Sequence, residues 1–145
     1  KYIENKTPIL GICRGHQSIA VHFGGTLHQH MFHESNGSDR TSLVHYVEVD
    51  NNLLSKYTGF VIIDPATKKQ TSTMKVNSIH HQTVNVIPKE AVQIACYKPT
   101  KNSYSDQMMN EALIYPDHKI ATVQWHPEEI EDSLSDVLIK EFLLK

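Results

Sequence analysis

The sequence predicts an α/β fold for a single domain spanning residues 1–145. A short apolar strand near the start leads through a cysteine into a pattern with helical spacing at residues 15–23. Alternating apolar segments separated by Gly, Pro and Asn turns follow, which is typical of strands. The chain closes on an amphipathic helical pattern at residues 130–144. A chain of 145 residues is long enough to bury one core, and two domains would be crowded.

The first informative stretch is PILGICRGHQ, residues 8–17, which has the layout of a nucleophile elbow. A strand that turns sharply into a helix strains its turn residue, here Cys13, and the small neighbours Gly11 and Gly15 leave room for the two backbone arms. The N–H groups at the start of the following helix would favour a thiolate. The alternative is that Cys13 is a small buried side chain and the glycines mark an ordinary turn.

The other elements follow from hydrophobic spacing and turn residues taken in chain order. Besides the helix over 15–23, which Gly24-Gly25 stops, the pattern predicts a helical turn over 51–57 closed by Gly59 and a final helix over 130–144. Strands are predicted over 9–12, 26–31, 44–49, 60–63, 74–79, 84–87, 92–97, 112–115 and 119–125. Residues 33–42 form a polar loop with turn signals at 36–37 and 38–39, and the turn at 116–117 makes the last two strands a hairpin.

Composition excludes several classes of protein. The formal net charge of -2, from 14 Lys and Arg against 16 Asp and Glu, predicts no attraction to nucleic acid or to a membrane surface. No apolar run approaches the length of a membrane span, and no signal segment opens the chain. The two cysteines, Cys13 and Cys96, do not suggest a disulfide scaffold and fit a reducing compartment, so a cytoplasmic location is expected.

The second informative stretch is VQWHPE, in which a strand ends at His126 and is followed by Glu128. Side chains two residues apart on an extended chain point the same way. Pro127 has a fixed φ and biases His126 toward an extended conformation, which holds the imidazole and the carboxylate in one relative geometry. This is the base and orienting acid that a thiol nucleophile needs. By itself, however, the tripeptide also fits a surface turn that closes a strand.

Three motifs in order, GICRGHQ, NSIHHQ and VQWHPE, resemble the class I glutamine amidotransferase superfamily, and specifically its gamma-glutamyl-gamma-aminobutyrate hydrolase branch. The arginine after the cysteine and the NSIHHQ motif favour that branch over the synthase-linked glutaminases, and GGTLHQH and Glu111-Ala112 are similar to it as well. The resemblance covers residues 8–128. It implies a flavodoxin-like sandwich with a central, mostly parallel sheet and a nucleophile elbow.

The resemblance also implies a catalytic triad of Cys13, His126 and Glu128. Cys13 would attack the γ-carbonyl of a glutamyl amide, His126 would carry the thiol proton to the leaving amine, Glu128 would orient His126, and water would hydrolyse the thioester. The backbone N–H of Arg14 follows the nucleophile and is the natural oxyanion donor. Cys96 is interpreted as a core residue.

Three more positions match the substrate pocket of the family: Gln17, His80 and His81. Each has a simpler interpretation, since Gln17 could be a helix-surface glutamine and the two histidines could be solvated loop residues. The relatives typically need no metal or other cofactor, and none is expected here. A metal site at His28, His30 and His33 is disfavoured because no carboxylate cluster accompanies these residues.

The start of the chain departs from the family pattern. The second oxyanion donor of the family comes from a glycine-rich loop upstream of the elbow, and KYIENKT contains no glycine. We therefore expect an upstream segment, either removed from this chain or carried by a separate one, and little activity without it.

The leading hypothesis is a hydrolase of small γ-glutamyl amides, with a homodimer as one option. The alternatives are a glutaminase module that supplies ammonia to a partner synthase and a degenerate, non-catalytic homologue.

Overall fold

A mixed eight-stranded sheet forms the centre of the molecule in the computed structural model, which describes residues 1–30, 39–98 and 108–145. The strands are β1 (Ile9–Ile12), β2 (Leu27–His28), β3 (His45–Val49), β4 (Thr73–Val76), β5 (Thr83–Val84), β6 (Val92–Tyr97), β7 (Met109–Tyr115) and β8 (Ile120–Val123). Six of them run in the order β1-β8-β7-β6-β3-β4, while β5 pairs with β7 and β2 pairs with β5.

Strand direction differs from the expectation of a mostly parallel sheet. Among the described strands only β1 and β8 pair in parallel, and every other pair is antiparallel. Antiparallel neighbours can be joined by a short turn, whereas a parallel pair needs a long crossover. The predicted hairpin at 116–117 is one such turn: a 3-10 turn at Pro116–His118 joins β7 to β8.

Helices cover both faces of the sheet, which confirms the predicted α/β sandwich. Helix α1 (Arg14–His22) packs on one face, where Ala20 joins a small cluster with Leu113 and Tyr115. Helix α2 (Asn51–Thr58) and the C-terminal helix pack on the other face, over the larger core. That core contains buried apolar side chains from both layers, among them Val47, Leu54, Ile94, Ile114, Val123, Trp125, Leu134 and Leu138.

Several predicted elements are confirmed. Strands β1 and β6 have the predicted bounds, and helix α1 is shifted by one residue from its predicted range. Helix α2 ends where expected, because Gly59 adopts a left-handed conformation with φ 80° that glycine tolerates. At its start, the Asp50 side chain accepts a hydrogen bond from the backbone N–H of Leu53 at 3.0 Å and caps the helix.

The strand predicted over 60–63 was wrong. In this segment only an isolated bridge joins Ile63 to Gln70. The backbone N–H of Ile62 donates instead to the Asn51 side chain at 3.0 Å, and its carbonyl accepts from Thr71 at 3.2 Å. Side-chain and loop partners therefore satisfy the backbone groups that a ladder would otherwise use.

The C-terminal helix begins later than predicted and changes its winding. Asp132 caps α3 (Ser133–Val137) by accepting from the Ser135 N–H at 2.6 Å, and it also accepts from the Trp125 indole at 3.0 Å. From Leu138 to Leu143 the helix continues as a π-helix. The cap, fixed by a buried tryptophan, decides where this helix starts.

Other strands have different ends from those predicted, and β8, expected over 119–125, spans Ile120–Val123. Strand β7 begins three residues earlier than expected, at Met109, whereas β4 ends at Val76 and β5 at Val84. The expected strand over 26–31 is reduced to β2, and its last residue, Met31, lies outside the described residues together with His33 and the turn at 36–37. Within the described ranges no helix is long and apolar enough to cross a membrane.

Candidate active site

The parallel pair β1 and β8 places the two chemistry-bearing motifs side by side. Ile12 lies opposite Val123, and the pairing continues past the strand ends because the Cys13 N–H donates to the Val123 carbonyl at 2.9 Å. Next to the cysteine, the Gln124 amide donates to Sγ at 3.6 Å. The segments that follow the two strands, with Cys13 on one and His126 on the other, therefore meet at the same edge of the sheet.

Cys13 has the strained backbone that an elbow predicts, with φ 50° and ψ -102°. A non-glycine residue at positive φ costs about 1–3 kcal/mol and persists only where the surrounding structure enforces it. Gly11 is part of that enforcement: a Cβ on it would lie 2.8 Å from Ile19 Cδ1 and 2.9 Å from Thr122 Cγ2. The expectation that a small residue is needed to leave room for the two backbone arms was wrong for Gly15, because a Cβ there would meet nothing within 4 Å.

The pKa of the Cys13 thiol is raised, whereas the helix start was expected to favour a thiolate. Burial raises the pKa of Cys13 above its usual value, and a hydrogen bond from the Arg14 backbone N–H opposes this effect. The Glu128 carboxylate raises the pKa further, whereas the charges of Arg14 and Arg40 lower it. The helix start alone does not ionise this cysteine, so a reaction at its sulfur requires a base.

His126 and Glu128 form a close pair directly after β8. His126 Nδ1 lies 2.6 Å from Glu128 Oε1, and the imidazole is 14% exposed against 44% for the carboxylate. The backbone of His126 is fixed by Asn77, whose Oδ1 accepts from the His126 N–H at 2.9 Å and whose Nδ2 donates to the His126 carbonyl at 3.2 Å. An imidazole whose Nδ1–H is held by a carboxylate presents Nε2 as a base.

A basic side chain that the sequence did not single out lies against this pair. Arg40 Nη2 is 3.2 Å from His126 Nδ1 and 3.6 Å from Glu128 Oε1, and Arg40 Nε donates to Glu129 Oε1 at 3.0 Å. The Arg40 carbonyl accepts from Asn77 Nδ2 at 2.7 Å. One asparagine amide therefore connects the Arg40 backbone to that of His126.

Gln17 and His80 meet at one backbone carbonyl. Gln17 Nε2 donates to the Gln82 carbonyl at 2.9 Å and to Gln124 Oε1 at 3.1 Å, and His80 Nδ1 lies 2.8 Å from the same Gln82 oxygen. Gln17 is only 7% exposed, so it is not the helix-surface residue of the simpler interpretation. His81 is exposed, with its ring centroid 6.0 Å from that of His30.

A buried histidine, His16, connects the helix of the elbow to the sheet. His16 Nδ1 lies 2.8 Å from Thr122 Oγ1 and Nε2 lies 3.1 Å from the Asn110 carbonyl. Burial lowers the pKa of His16 to about 4, which keeps the ring neutral. A neutral ring fits both contacts, since Nε2–H donates to the carbonyl and Nδ1 accepts from the hydroxyl.

Sequence reasoning missed three polar residues at or near this site, Asn77, Gln124 and Arg40, and gave no role to a fourth, Glu111. Asn77 and Gln124 stand inside the NSIHHQ and VQWHPE motifs, so their motif membership was an available signal. Glu111 was noted only as part of the resemblance, although it is fully buried. Arg40 lies in a polar loop segment, where nothing in the sequence pattern separates it from other charged residues.

The described residues contain no group of three or more His, Cys, Asp or Glu side chains placed to hold a metal ion. Strand β2 includes His28 but ends before His30, so the two histidines do not share one strand face. His33 lies outside the described residues.

Comparisons with known proteins agree with this fold. A family model described as Peptidase C26 matches residues 1–128. A Schizosaccharomyces pombe protein named as a glutamine amidotransferase is 32% identical over 136 residues, which cover 90% of this chain and 46% of that protein. One of the subunits of the glutamine-hydrolysing GMP synthase of Methanosarcina barkeri is 29% identical over 140 residues, covering 97% of this chain and 60% of its own length.

Solved structures repeat the architecture. A glutamine amidotransferase from Methylobacillus flagellatus superposes with a TM-score of 0.57 at 20% identity, over 87% of this chain and 40% of that one. Identity at this level shows the fold alone. The chain spans about half the length of the fission-yeast relative and of this solved structure. The family model extends over both the strained cysteine and the His126–Glu128 pair, and the chain belongs to the peptidase C26 family, with a class I glutamine amidotransferase-like fold.

Proposed function

We propose that this protein is a cysteine-dependent hydrolase of γ-glutamyl amide bonds, and that Cys13, His126 and Glu128 form its catalytic triad. The observation that carries the proposal is the 2.6 Å contact between His126 Nδ1 and Glu128 Oε1, directly after the strand that pairs in parallel with the one leading to a strained cysteine. Because burial raises the pKa of Cys13, the thiol needs such a base. The substrate class, a small γ-glutamyl amide, follows from the resemblance to the gamma-glutamyl-gamma-aminobutyrate hydrolases.

The reaction begins when His126 Nε2 removes the Cys13 proton and Sγ attacks the γ-carbonyl carbon. The tetrahedral intermediate collapses to a γ-glutamyl thioester as the imidazolium gives its proton to the departing amine. Water, deprotonated by His126, then attacks the thioester and releases glutamate and the free thiol. Glu128 holds the Nδ1–H tautomer throughout and stabilises the imidazolium.

The backbone N–H of Arg14 is the proposed oxyanion donor in this chain. It already hydrogen-bonds the Cys13 sulfur, so it lies beside the position where the oxyanion develops. A second donor is expected from a segment upstream of the elbow. Losing one such donor costs roughly a hundred- to a thousand-fold in kcat.

Gln17, His80 and His81 are proposed to contact the glutamyl part of the substrate. The support for Gln17 and His80 is that both bond to the Gln82 carbonyl, and that Gln17 reaches Cys13 through Gln124. His81 lies next in the chain and is exposed, which leaves it accessible to a bound molecule.

Glutamate release from a panel of γ-glutamyl amides, γ-glutamyl-γ-aminobutyrate and glutamine included, tests the proposal in the full-length protein. We expect Cys13→Ala to lower kcat by roughly a thousand-fold or more, because no thioester can form. Cys96→Ser is the matched control for removing a thiol, and it should retain activity. Equal activity of the wild-type protein and Cys13→Ala would rule out the nucleophile.

The same panel distinguishes the second candidate, a glutaminase that delivers ammonia to a synthase. The observation in its favour is the likeness to the glutamine-hydrolysing GMP synthase of M. barkeri. Such a module would hydrolyse glutamine in preference to other amides and would be slow until its partner is added. Activity on substituted amides without any partner would support the hydrolase instead.

A further inference from the structure

Arg40 occupies a position beside the His126–Glu128 pair that its loop location does not explain. Its guanidinium lies near three atoms of other side chains: Glu129 Oε1 at 3.0 Å, His126 Nδ1 at 3.2 Å and Glu128 Oε1 at 3.6 Å. Exposed ion pairs of this kind add little stability, about 0–1 kcal/mol. A role in the chemistry of the pair is therefore a better explanation for the arrangement than a role in folding.

The backbone of Arg40 is fixed on both sides. Asn77, which is fully buried, donates to the Arg40 carbonyl at 2.7 Å with the same amide nitrogen that reaches the His126 carbonyl. Asp39 accepts from the N–H groups of Thr41 and Ser42 at 3.0 and 3.3 Å, which closes a turn around Arg40. The guanidinium is thus presented from an anchored backbone.

The contacts around Nδ1 allow only one assignment of protons if His126 is to act as a base. A guanidinium only donates and a carboxylate only accepts, so Nδ1 cannot serve both partners at once. With the proton on Nδ1 directed to Glu128 at 2.6 Å, Arg40 Nη2 has Glu128 Oε1 as its acceptor. In the opposite assignment Arg40 donates to Nδ1, Nε2 carries the proton, and the imidazole cannot accept one from Cys13.

We infer that Arg40 is a positioning residue that bridges Glu128 and Glu129, holding the Glu128 carboxylate against His126 and offsetting its negative charge at Cys13. The inference rests on the proposed function. Neutralisation matters because the charged groups that act on the pKa of the thiol are Glu128, Arg14 and Arg40. Of these, Glu128 opposes thiolate formation and the two arginines favour it.

The experiment measures Cys13 alkylation by iodoacetamide against pH, followed by peptide mass spectrometry, in full-length wild-type protein and in Arg40→Gln and Arg40→Lys. We expect Arg40→Gln to slow alkylation at pH 8 by about two- to five-fold and to move the profile to higher pH, since the side chain is half exposed and its charge is screened. Arg40→Lys should retain most of the alkylation rate because it keeps the charge.

Lys98→Gln is the matched control for the loss of one positive charge. Burial and the Glu48 carboxylate raise the pKa of Cys96, and Lys98 lowers it. This variant should slow alkylation of Cys96 and leave that of Cys13 unchanged. In Arg40→Gln, alkylation of Cys13 should be slowed and that of Cys96 unchanged, so that Cys96 is the internal reference within the same molecule.

Steady-state kinetics then test the positioning role. Arg40→Gln should lower kcat about ten-fold with little change in KM, and Arg40→Lys should recover only part of kcat, because one ammonium cannot bridge two carboxylates as a planar guanidinium does. A wild-type alkylation profile in Arg40→Gln would overturn the inference. A higher kcat in Arg40→Gln would also overturn it, because it would show that Arg40 holds the unproductive tautomer of His126. Absence of hydrolysis by the wild-type protein would refute the proposed function, while the alkylation profiles would still decide the role of Arg40.

Discussion

At the scale of single residues, Glu111 in β7 couples the stability of the fold to pH. Both of its carboxylate oxygens are buried and have no hydrogen-bond partner in the described part of the chain. Burial raises the pKa of Glu111 to about 8. The folded protein therefore keeps this proton over a pH range in which the unfolded chain loses it. The resulting stabilisation is complete below the unfolded pKa near 4.5 and is lost as the pH rises toward 8.

Glu111→Gln should remove this dependence. We expect its free energy of unfolding, relative to the wild-type protein, to rise between pH 4.5 and 8 with a slope of at most about 1.4 kcal/mol per pH unit. Urea denaturation at several pH values measures the difference. The control is Glu4→Gln, because the Glu4 side chain is exposed. If the free energy of unfolding changed with pH in the same way for Glu111→Gln and the wild-type protein, the Glu111 carboxyl group would not be protonated in the folded state.

At the scale of elements, the elbow between β1 and α1 depends on the two glycines unequally. The absent Cβ of Gly11 leaves space for Ile19 and for Thr122, and Thr122 is itself held by His16. Gly15 faces open space and has no positive φ. The sequence shows two similar glycines around a cysteine, but the packing of α1 on β8 gives only the first a steric role.

Gly11→Ala should destabilise the protein by about 1–3 kcal/mol, because the added methyl group overfills a packed site. Gly15→Ala is the matched substitution and should leave stability unchanged or raise it by about 0.5–1 kcal/mol, since alanine is the better helix residue. Thermal and chemical denaturation of the two variants provide the test. A smaller loss in Gly11→Ala than in Gly15→Ala would contradict the packing described for the elbow.

At the scale of the whole molecule, β7 is the central strand of the sheet. All seven of its residues are buried, and it pairs with β6 on one side and with β8 and β5 on the other. Strand β4 pairs only with β3 among the described strands and is partly exposed. Local opening is easiest where backbone hydrogen bonds are exposed and buried contacts are few.

Amide hydrogen exchange should therefore be slowest in β7 and at least about ten-fold faster in β4, a difference in opening free energy of about 1.4 kcal/mol or more. Peptide-resolved mass spectrometry measures both strands in one experiment. Helix α2 is a useful reference, because it packs on the core through Leu54 but is exposed along its outer side. Equal exchange in β4 and β7 would contradict the central position of β7.

The sequence by itself determined the local features of this protein. The elbow around Cys13, the α2 cap at Gly59, strand β6, and the hairpin between β7 and β8 could all be predicted, because each depends on residues close together in the chain. The pairing of His126 with Glu128 was predictable for the same reason. The failure at 60–63 arose where the Asn51 side chain took the place of a ladder partner. The start of α3 was misplaced because Asp132, which also accepts from the Trp125 indole, caps the helix at that point.

Tertiary structure decided everything that depends on residues far apart in sequence. The parallel register of β1 with β8, the Asn77 amide that joins the Arg40 and His126 backbones, and the burial that keeps Glu111 protonated are not encoded in any short window. Turn chemistry and hydrophobic period act over a few residues, whereas desolvation and charge pairing act through space. The sequence therefore determined the residues available for chemistry, and the packing of the sheet determined which of them face one another and in which charge state.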